Sequence, residues 1–595
     1  MLEPRSMRIL HEALRPPEGH ELEHLLVTTF TLDLVSLLSV PLAFTWFGGH
    51  GDADELERDP LELLAAVERQ AGRITIFHQA GAIGVPGGHK RLFSLIEDAL
   101  VAVPAPRSGG VFHPKLWIAT YSDDARKQRY RLLCLSRNLT PDRCWDTILS
   151  LEGTPTRRTR IEARPLVDFV AWLARVRRLP PSHATNVRRL ARGLSSVRFE
   201  PPAPFQSVAF RPIGIRGYRS DPIAEARRDR MLIVSPFIGA AQLETMCADA
   251  SEAILVTRPD EVGRLKGNLP SIMSRVLRLD DALEAEPEEG AETAPWLAGL
   301  HAKTYVADQG WDATVWTGSA NATGAAFRRN IEFLVELRGM KSACGIDKIL
   351  GDGSPGTFLS MLAPCEDATA PPEDDAVERA LEALAGLIAE LRVEVGVAEE
   401  ESSWHLELTL LDEAPQLGEG VHVGVAPLAA GGVIVRVDLS KPMLARFQGL
   451  KAYEVSGLFV VEVGLDAHPG ASRSFVASWP LVGAVPDRVR ALLVELASDP
   501  DRLLSFIRMF LAAGDSAAPS ADANIGEGGM EGWGAAVSEG PLLELLVRTL
   551  AREPHRLDEL ARWLPDIAAA AGDGVGADLL QIWEPIWQTR QESLR

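Results

Sequence analysis

Cysteine is nearly absent: five in 595 residues, at 134, 144, 247, 344 and 365. The number is odd and no Cys-x-x-Cys spacing occurs, which argues against a disulfide framework and a thiolate zinc site and leaves free thiols as the expectation. Lysine is almost as scarce, with nine against 52 arginines. No uncharged apolar run reaches about eighteen residues. The opening stretch MLEPRSMRILHEALRPPEGH lacks the apolar centre of a signal peptide, so a cytoplasmic location without membrane contact is expected. The remaining composition, 46% hydrophobic and 24% charged, is that of a globular protein. A chain of 595 residues exceeds what one core supports and implies three or four folded units.

Charge is unevenly spread. Residues 1–350 carry 44 Lys and Arg against 43 Asp and Glu, whereas residues 351–595 carry 17 against 39. Within the first part, residues 101–230 hold 25 basic and 11 acidic residues. A positive surface of this kind suits a polyanion; its plainer alternative is a solvated arginine-rich helical face.

The few lysines and histidines form a repeat. His113-Pro-Lys115 is followed by Ser136-Arg-Asn138, and His301-Ala-Lys303 by Ser319-Ala-Asn321. With 13 His and nine Lys in the chain, random placement would produce about 0.2 His-x-Lys pairs, against two found. Each half also continues alike: Trp145-Asp146 and Ile331-Glu332 open the next apolar stretch, so Asp146 and Glu332 hold matching positions. HLLVTTF (24–30) and RMLIVSPF (230–237) read as buried strands leading into helices, RITIF (73–77) and AILVT (253–257) as second strands. The expected fold class is α/β, with two pseudo-twofold-related halves followed by a β-rich unit and a helical end. The expected divisions are a first half at 1–165, an Arg-rich helical connector at 166–204, a second half at 205–350, a helix plus β-rich accessory domain at 371–513, a flexible linker at 514–540 and a helical unit at 541–595.

If FHPKLWI and LHAKTYV are strands, His and Lys of each pair project to one face. Packing the halves together then collects two imidazoles, two ammonium groups and two amides around one phosphate. One imidazole attacks phosphorus and the other protonates the leaving oxygen, while Lys115, Lys303, Asn138 and Asn321 hold the non-bridging oxygens. That kit calls for no metal and no cofactor. Ser136 and Ser319 are supporting residues; Asp146 and Glu332 either orient the histidines by accepting their second N–H or are plain strand-edge charges.

These residues resemble the phospholipase D superfamily, whose motif is His-x-Lys, four residues, Asp, then Gly-Ser-x-Asn. The second half matches throughout, with His301, Lys303, Asp308, Gly318, Ser319 and Asn321, and Glu332 fits the acidic residue expected afterwards. The first half departs: Thr120 stands in place of Asp and Leu135 in place of Gly. Relatives such as the tyrosyl-DNA phosphodiesterases tolerate loss of that Asp. The resemblance covers residues 20–345 and implies a metal-independent phosphodiesterase with His113 as nucleophile, through a covalent phosphohistidine, and His301 as acid. Asp308 is expected to orient its neighbours. The arginine-rich stretch begins beside the first His-x-Lys pair and is expected to line the site, and no hydrophobic anchor for a lipid surface is visible, so nucleic acid, DNA before RNA, is the expected substrate. The resemblance extends to bacterial restriction and anti-phage defence nucleases. It also implies a helicase or other defence-system protein as partner, docked through the acidic C-terminal region. Both half-sites lie in one chain, so no dimer is required. The competing readings are a soluble phospholipase D-type lipid hydrolase or transferase and a non-catalytic DNA-binding subunit.

Two further expectations concern single segments. Seven Asp and Glu, with no Lys or Arg, lie between Leu279 and Leu300 and read as a solvated loop or as a polyanion mimic screening the cleft. Trp583 and Trp587, four apart, read as a core stripe or a docking surface.

Overall fold

The computed structural model describes residues 10–47, 70–87, 92–106, 109–141, 144–177, 179–265, 268–280, 299–365, 376–401, 403–496, 541–552 and 554–592. The acidic run before Leu300 and the linker expected at 514–540 lie outside them, the former but for Asp280.

The first sheet contains β1 (Glu21–Thr29), β2 (Ile74–Gln79), β3 (Leu100–Val103), β4 (Leu116–Ser122), β5 (Gln128–Leu135), β6 (Ile148–Pro155) and β7 (Val197–Phe199), in the order β3-β2-β1-β4-β5-β6-β7. The second contains β8 (Ser207–Ile213), β9 (Arg230–Val234), β10 (Glu252–Val256), β11 (Met273–Leu279), β12 (Thr304–Gln309), β13 (Asp312–Gly318), β14 (Glu332–Met340) and β15 (Leu362–Pro364), in the order β15-β11-β10-β9-β12-β13-β14-β8. Strand for strand, β1 to β6 correspond to β9 to β14. In both sheets the first three strands pair in parallel and the rest antiparallel. The segment expected as a connector contributes β7 to the first sheet, and β15 extends the second sheet beyond residue 350.

Alternation explains how the sheets are covered. Leu26, Leu116, Ile118 and Leu132 face a core shared with Leu232, Val234, Val306, Phe333 and Val335 of the second sheet. The intervening Leu25, Val27, Trp117 and Ala119 face the opposite side. Both faces of the central strands are therefore buried, which is why their sequences are near-continuous apolar runs. The helix Arg164–Val176 inserts Leu166, Phe169, Val170 and Leu173, spaced three and four apart, into the shared core and leaves its arginines outside.

The C-terminal part begins with the helix Ala376–Ala389. Two four-stranded sheets follow, β20-β17-β16-β23 and β19-β18-β21-β22, formed from β16 (Val393–Glu400), β17 (Ser403–Leu410), β18 (Val421–Pro427), β19 (Val435–Val437), β20 (Met443–Leu450), β21 (Leu458–Leu465), β22 (Ser472–Ser478) and β23 (Leu481–Gly483). Val395, Leu406, Val423 and Phe459 from both sheets share one core, so the unit is a β-sandwich. It is fastened to the first sheet's unit. Buried Glu97 accepts hydrogen bonds from Ser456 Oγ (2.6 Å) and Gly457 N (2.8 Å) and pairs with Arg488. Leu542, Leu557 and Trp583 of the terminal helices Pro541–Arg552 and Pro554–Glu592 join the core on the outer face of the first sheet. Trp583 is buried and stacks on Trp587, so this stripe faces inward.

Candidate active site

The His-x-Lys triplets do not lie within strands, contrary to the sequence expectation: each is the extended lead-in just ahead of β4 or β12. The cause is where their backbone hydrogen bonds go. His113 N donates to Ile331 O (2.9 Å), and His301 N donates to Trp145 O (2.8 Å), so each lead-in pairs with the other half rather than with its own sheet. In the first case this exchange puts His113 beside Glu332, the residue that follows its bridge partner Ile331; Asp146 holds the corresponding chain position after Trp145.

His113 Nδ1 donates to Glu332 Oε2 at 2.9 Å, and Lys115 Nζ donates to His113 Nε2 at 2.9 Å. A proton on Nδ1 and a lone pair on Nε2 define a neutral imidazole with its unprotonated nitrogen directed to the lysine. Burial lowers the pKa of His113; Glu332 opposes that shift and Lys115 adds to it. Burial alone would raise Glu332, yet His113, Lys115 and Ser319 hold its carboxyl below the ordinary value. Glu332 is itself oriented by Ser319 Oγ (2.5 Å) on one oxygen and Asn330 Nδ2 (3.0 Å) on the other. The Phe30 ring lies 5.3 Å from the His113 ring.

The second half-site differs in its acid. Asp146 stands 3.4 Å from Arg137 Nε, and Arg137 also donates to Thr140 O at 2.8 Å. His301 Nδ1 is buried and has no hydrogen-bond partner among the described residues. Burial, with Lys303, Lys115, His113 and Arg137 adding repulsion, pushes the His301 pKa far below its ordinary value. Both lysines are fully buried, a rare state for lysine unless it is engaged. Lys303 Nζ donates to His301 O (2.8 Å) and reaches Ser136 O across the halves (3.5 Å).

Ser136 and Ser319 are placed alike, just past β5 and β13. Ser136 Oγ accepts from Thr147 N (2.8 Å) and Ser319 Oγ from Phe333 N (3.0 Å), pinning each loop to the strand beside the site. Asn138 Oδ1 and Asn321 Oδ1 are buried without a hydrogen-bond partner among the described residues. Buried polar atoms of this kind are expected where a polar ligand completes the set. Gly318 has φ 150°, and a Cβ there would lie 2.3 Å from Phe333 O and 3.1 Å from Cys134 Sγ, the close approach that requires glycine.

Asp308 lies away from these groups, at the far end of β12. It accepts from Ile346 N (3.1 Å) and faces Arg230 across the β9–β12 pairing. In the first sheet the corresponding register sets Thr120 against His24, whose pKa burial lowers to about 3. Aspartate and its basic partner are thus both replaced, which leaves a neutral pair.

The arginine-rich stretch corrects another expectation. Arg126, Lys127 and Arg129 lie at the β4–β5 hairpin and Arg157 and Arg158 just beyond β6, at the strand ends opposite the site. Arg137 is the arginine of this stretch that the structure sets beside Asp146. Sequence reading missed it because the middle position of Ser-x-Asn follows no pattern; Asn330, Phe30 and Thr147 gave no signal either. Among the described residues no cluster of His, Cys, Asp and Glu could hold a metal ion, and no helix is long and apolar enough to cross a membrane.

No protein-family model matches the chain, and no curated protein matches it. Among solved structures it is similar to a yeast tyrosyl-DNA phosphodiesterase, at 13% identity over 56% of this chain and 85% of that one, TM-score 0.36. It is also similar to a polyphosphate kinase from Porphyromonas gingivalis, at 14% identity over 56% and 42%, TM-score 0.29. At that level of likeness the functional reading rests on the geometry of the site itself.

Proposed function

We propose that the protein is a phosphodiesterase of the phospholipase D type that cleaves nucleic acid, DNA before RNA, through a covalent phosphohistidine. The observation that carries this reading is the pairing of the two halves around His113, whose Nδ1–H is held by Glu332 while Nε2 keeps its lone pair beside Lys115. In the proposed reaction His113 Nε2 attacks phosphorus, and the P–O bond to the leaving group breaks. The departing oxygen takes a proton from His301. Water then gives a proton back to His301 and displaces His113 from phosphorus. Lys115, Lys303, Asn138 and Asn321 balance the charge on the non-bridging oxygens, where preorganised donors act most strongly. His301 has to gain its proton in the complex, where the phosphodiester's negative charge offsets the two lysines. The acidic C-terminal region serves as scaffold for the first sheet and as the face for a helicase or other defence-system partner. These side chains supply nucleophile, acid and charge stabilisation, so activity is expected to persist in EDTA.

The test is incubation of the purified protein with labelled single- and double-stranded DNA in EDTA, beside phosphatidylcholine vesicles. DNA cleavage that disappears in both His113→Ala and His301→Ala supports the shared site. Hydrolysis of the vesicles alone, or loss in only one variant, overturns it.

A further inference from the structure

A basic groove lies away from the candidate site. Arg126, Lys127, Gln128, Arg129, Thr154 and Pro155 line an open groove where the β4–β5 hairpin meets the end of β6. The next residues along the chain add Arg157 and Arg158, both exposed. Of the nearby carboxylates, Asp123 accepts from Lys127 N, Glu152 pairs with Arg131 and Glu23 accepts from Gln128, while Asp124 is exposed in the same hairpin. Among the described residues no carboxylate ion-pairs with the side chains of Arg126, Lys127, Arg129, Arg157 or Arg158. Arg126 also holds a left-handed backbone (φ 61°), a conformation that glycine or asparagine adopts with less strain. Unpaired cations along a polar groove are the chemistry of phosphate-backbone binding, in which each contact releases condensed counterions.

We infer that this groove is a second binding site for the phosphate backbone of nucleic acid, remote from the cleft; the inference rests on the nucleic-acid reading above. From Gln128 to Leu135 the strand advances seven residues, or about 23 Å at about 3.3 Å per residue. A nucleic-acid strand advancing about 3.4 Å per nucleotide spans that distance with about seven nucleotides. Substrates shorter than this beyond the scissile bond reach the cleft alone; longer ones engage both sites.

The experiment compares the full-length protein with its Arg126→Ala/Lys127→Ala/Arg129→Ala variant, both carrying His113→Ala to stop turnover. Binding of labelled 4-nucleotide and 30-nucleotide DNA is measured by anisotropy across a salt series, with folding checked by circular dichroism and Lys348→Ala as a charge-loss control. The expected result is at least a tenfold loss for the 30-mer, little loss for the 4-mer, and a salt slope for duplex shallower by about two to three, since each phosphate contact contributes about 0.9. Unchanged 30-mer affinity and slope, or equal losses on both lengths, overturns the second site. Hydrolysis of bis(p-nitrophenyl) phosphate in EDTA by the unmodified protein is read in parallel. If it proceeds while the groove variant binds normally, only the second site fails; if it is absent, the phosphodiesterase reading fails as well.

Discussion

Glu332 Oε2 lies 2.9 Å from His113 Nδ1, although 219 residues separate the two and they belong to different halves. The bond sets the tautomer of one histidine with a carboxylate from the other sheet. The reciprocal pair is not closed: Asp146 is held by Arg137, and His301 Nδ1 has no hydrogen-bond partner among the described residues.

Replacing Glu332 with glutamine keeps the shape and removes the charge. We expect kcat/KM to fall about 10- to 100-fold, the usual cost of losing a carboxylate that orients a functional histidine. Burial and Lys115 lower the His113 pKa, so the acid limb of kcat/KM in the unmodified protein should lie below pH 6.5. Glu332 opposes that lowering, so in Glu332→Gln the limb should move further toward acid. A limb at or above pH 6.5 in the unmodified protein would contradict a neutral His113 nucleophile.

Arg137→Ala removes a positive charge that lowers the His301 pKa and releases the Asp146 carboxylate. His301 should then hold its proton to higher pH. The basic limb of kcat should shift upward by on the order of one pH unit, the scale of a nearby opposite charge. Adding Asp146→Asn should reverse only the part contributed by the released carboxylate; a limb that ignores both substitutions would show that Arg137 does not act on His301.

Asp308 belongs to the motif but sits beside Arg230 and the backbone of Ile346. Asp308→Asn should therefore lower unfolding free energy by about 2 kcal/mol, the cost of leaving buried groups poorly paired. Turnover per folded molecule should change by less than about twofold, because the group is remote from the reacting atoms. Chemical denaturation alongside phosphohistidine trapping separates the two quantities.

Glu97→Ala should loosen the β-sandwich from the first sheet. It removes one partner of the buried Glu97–Arg488 pair and leaves Ser456 Oγ and Gly457 N without their acceptor. The expected loss is about 3 kcal/mol, since the remaining charge stays partly buried. Limited proteolysis should then cut between the sandwich and the first sheet's unit; an unchanged digestion pattern and melting curve would show that apolar contacts alone hold the interface.

Strands buried on both faces were legible because their sequences hardly alternate: HLLVTTF falls within β1 but for its last residue, RITIF lies at β2, RMLIVSPF opens with β9 and AILVT lies at β10. The lead-ins carrying His113 and His301 were harder to place, since their hydrogen bonds go to Ile331 and Trp145 of the opposite half. Local pattern cannot reveal a partner so far along the chain. The arginine stretch misled for a geometric reason. Residues adjacent to the site in sequence travel about 3.3 Å per step along a strand, so Arg126 to Arg129 end up at the opposite end of the sheet.

By itself the sequence determined the duplicated α/β halves and the chemical groups of the candidate site. Buried strands require apolar runs, and the His-x-Lys and Ser-x-Asn repeats are too rare to arise from composition alone. Only the tertiary structure decided which carboxylate serves which histidine, that Asp146 is engaged by Arg137, and that the basic groove lies away from the cleft. Those relationships depend on two sheets packing across a pseudo-twofold axis, which joins positions that no local spacing relates.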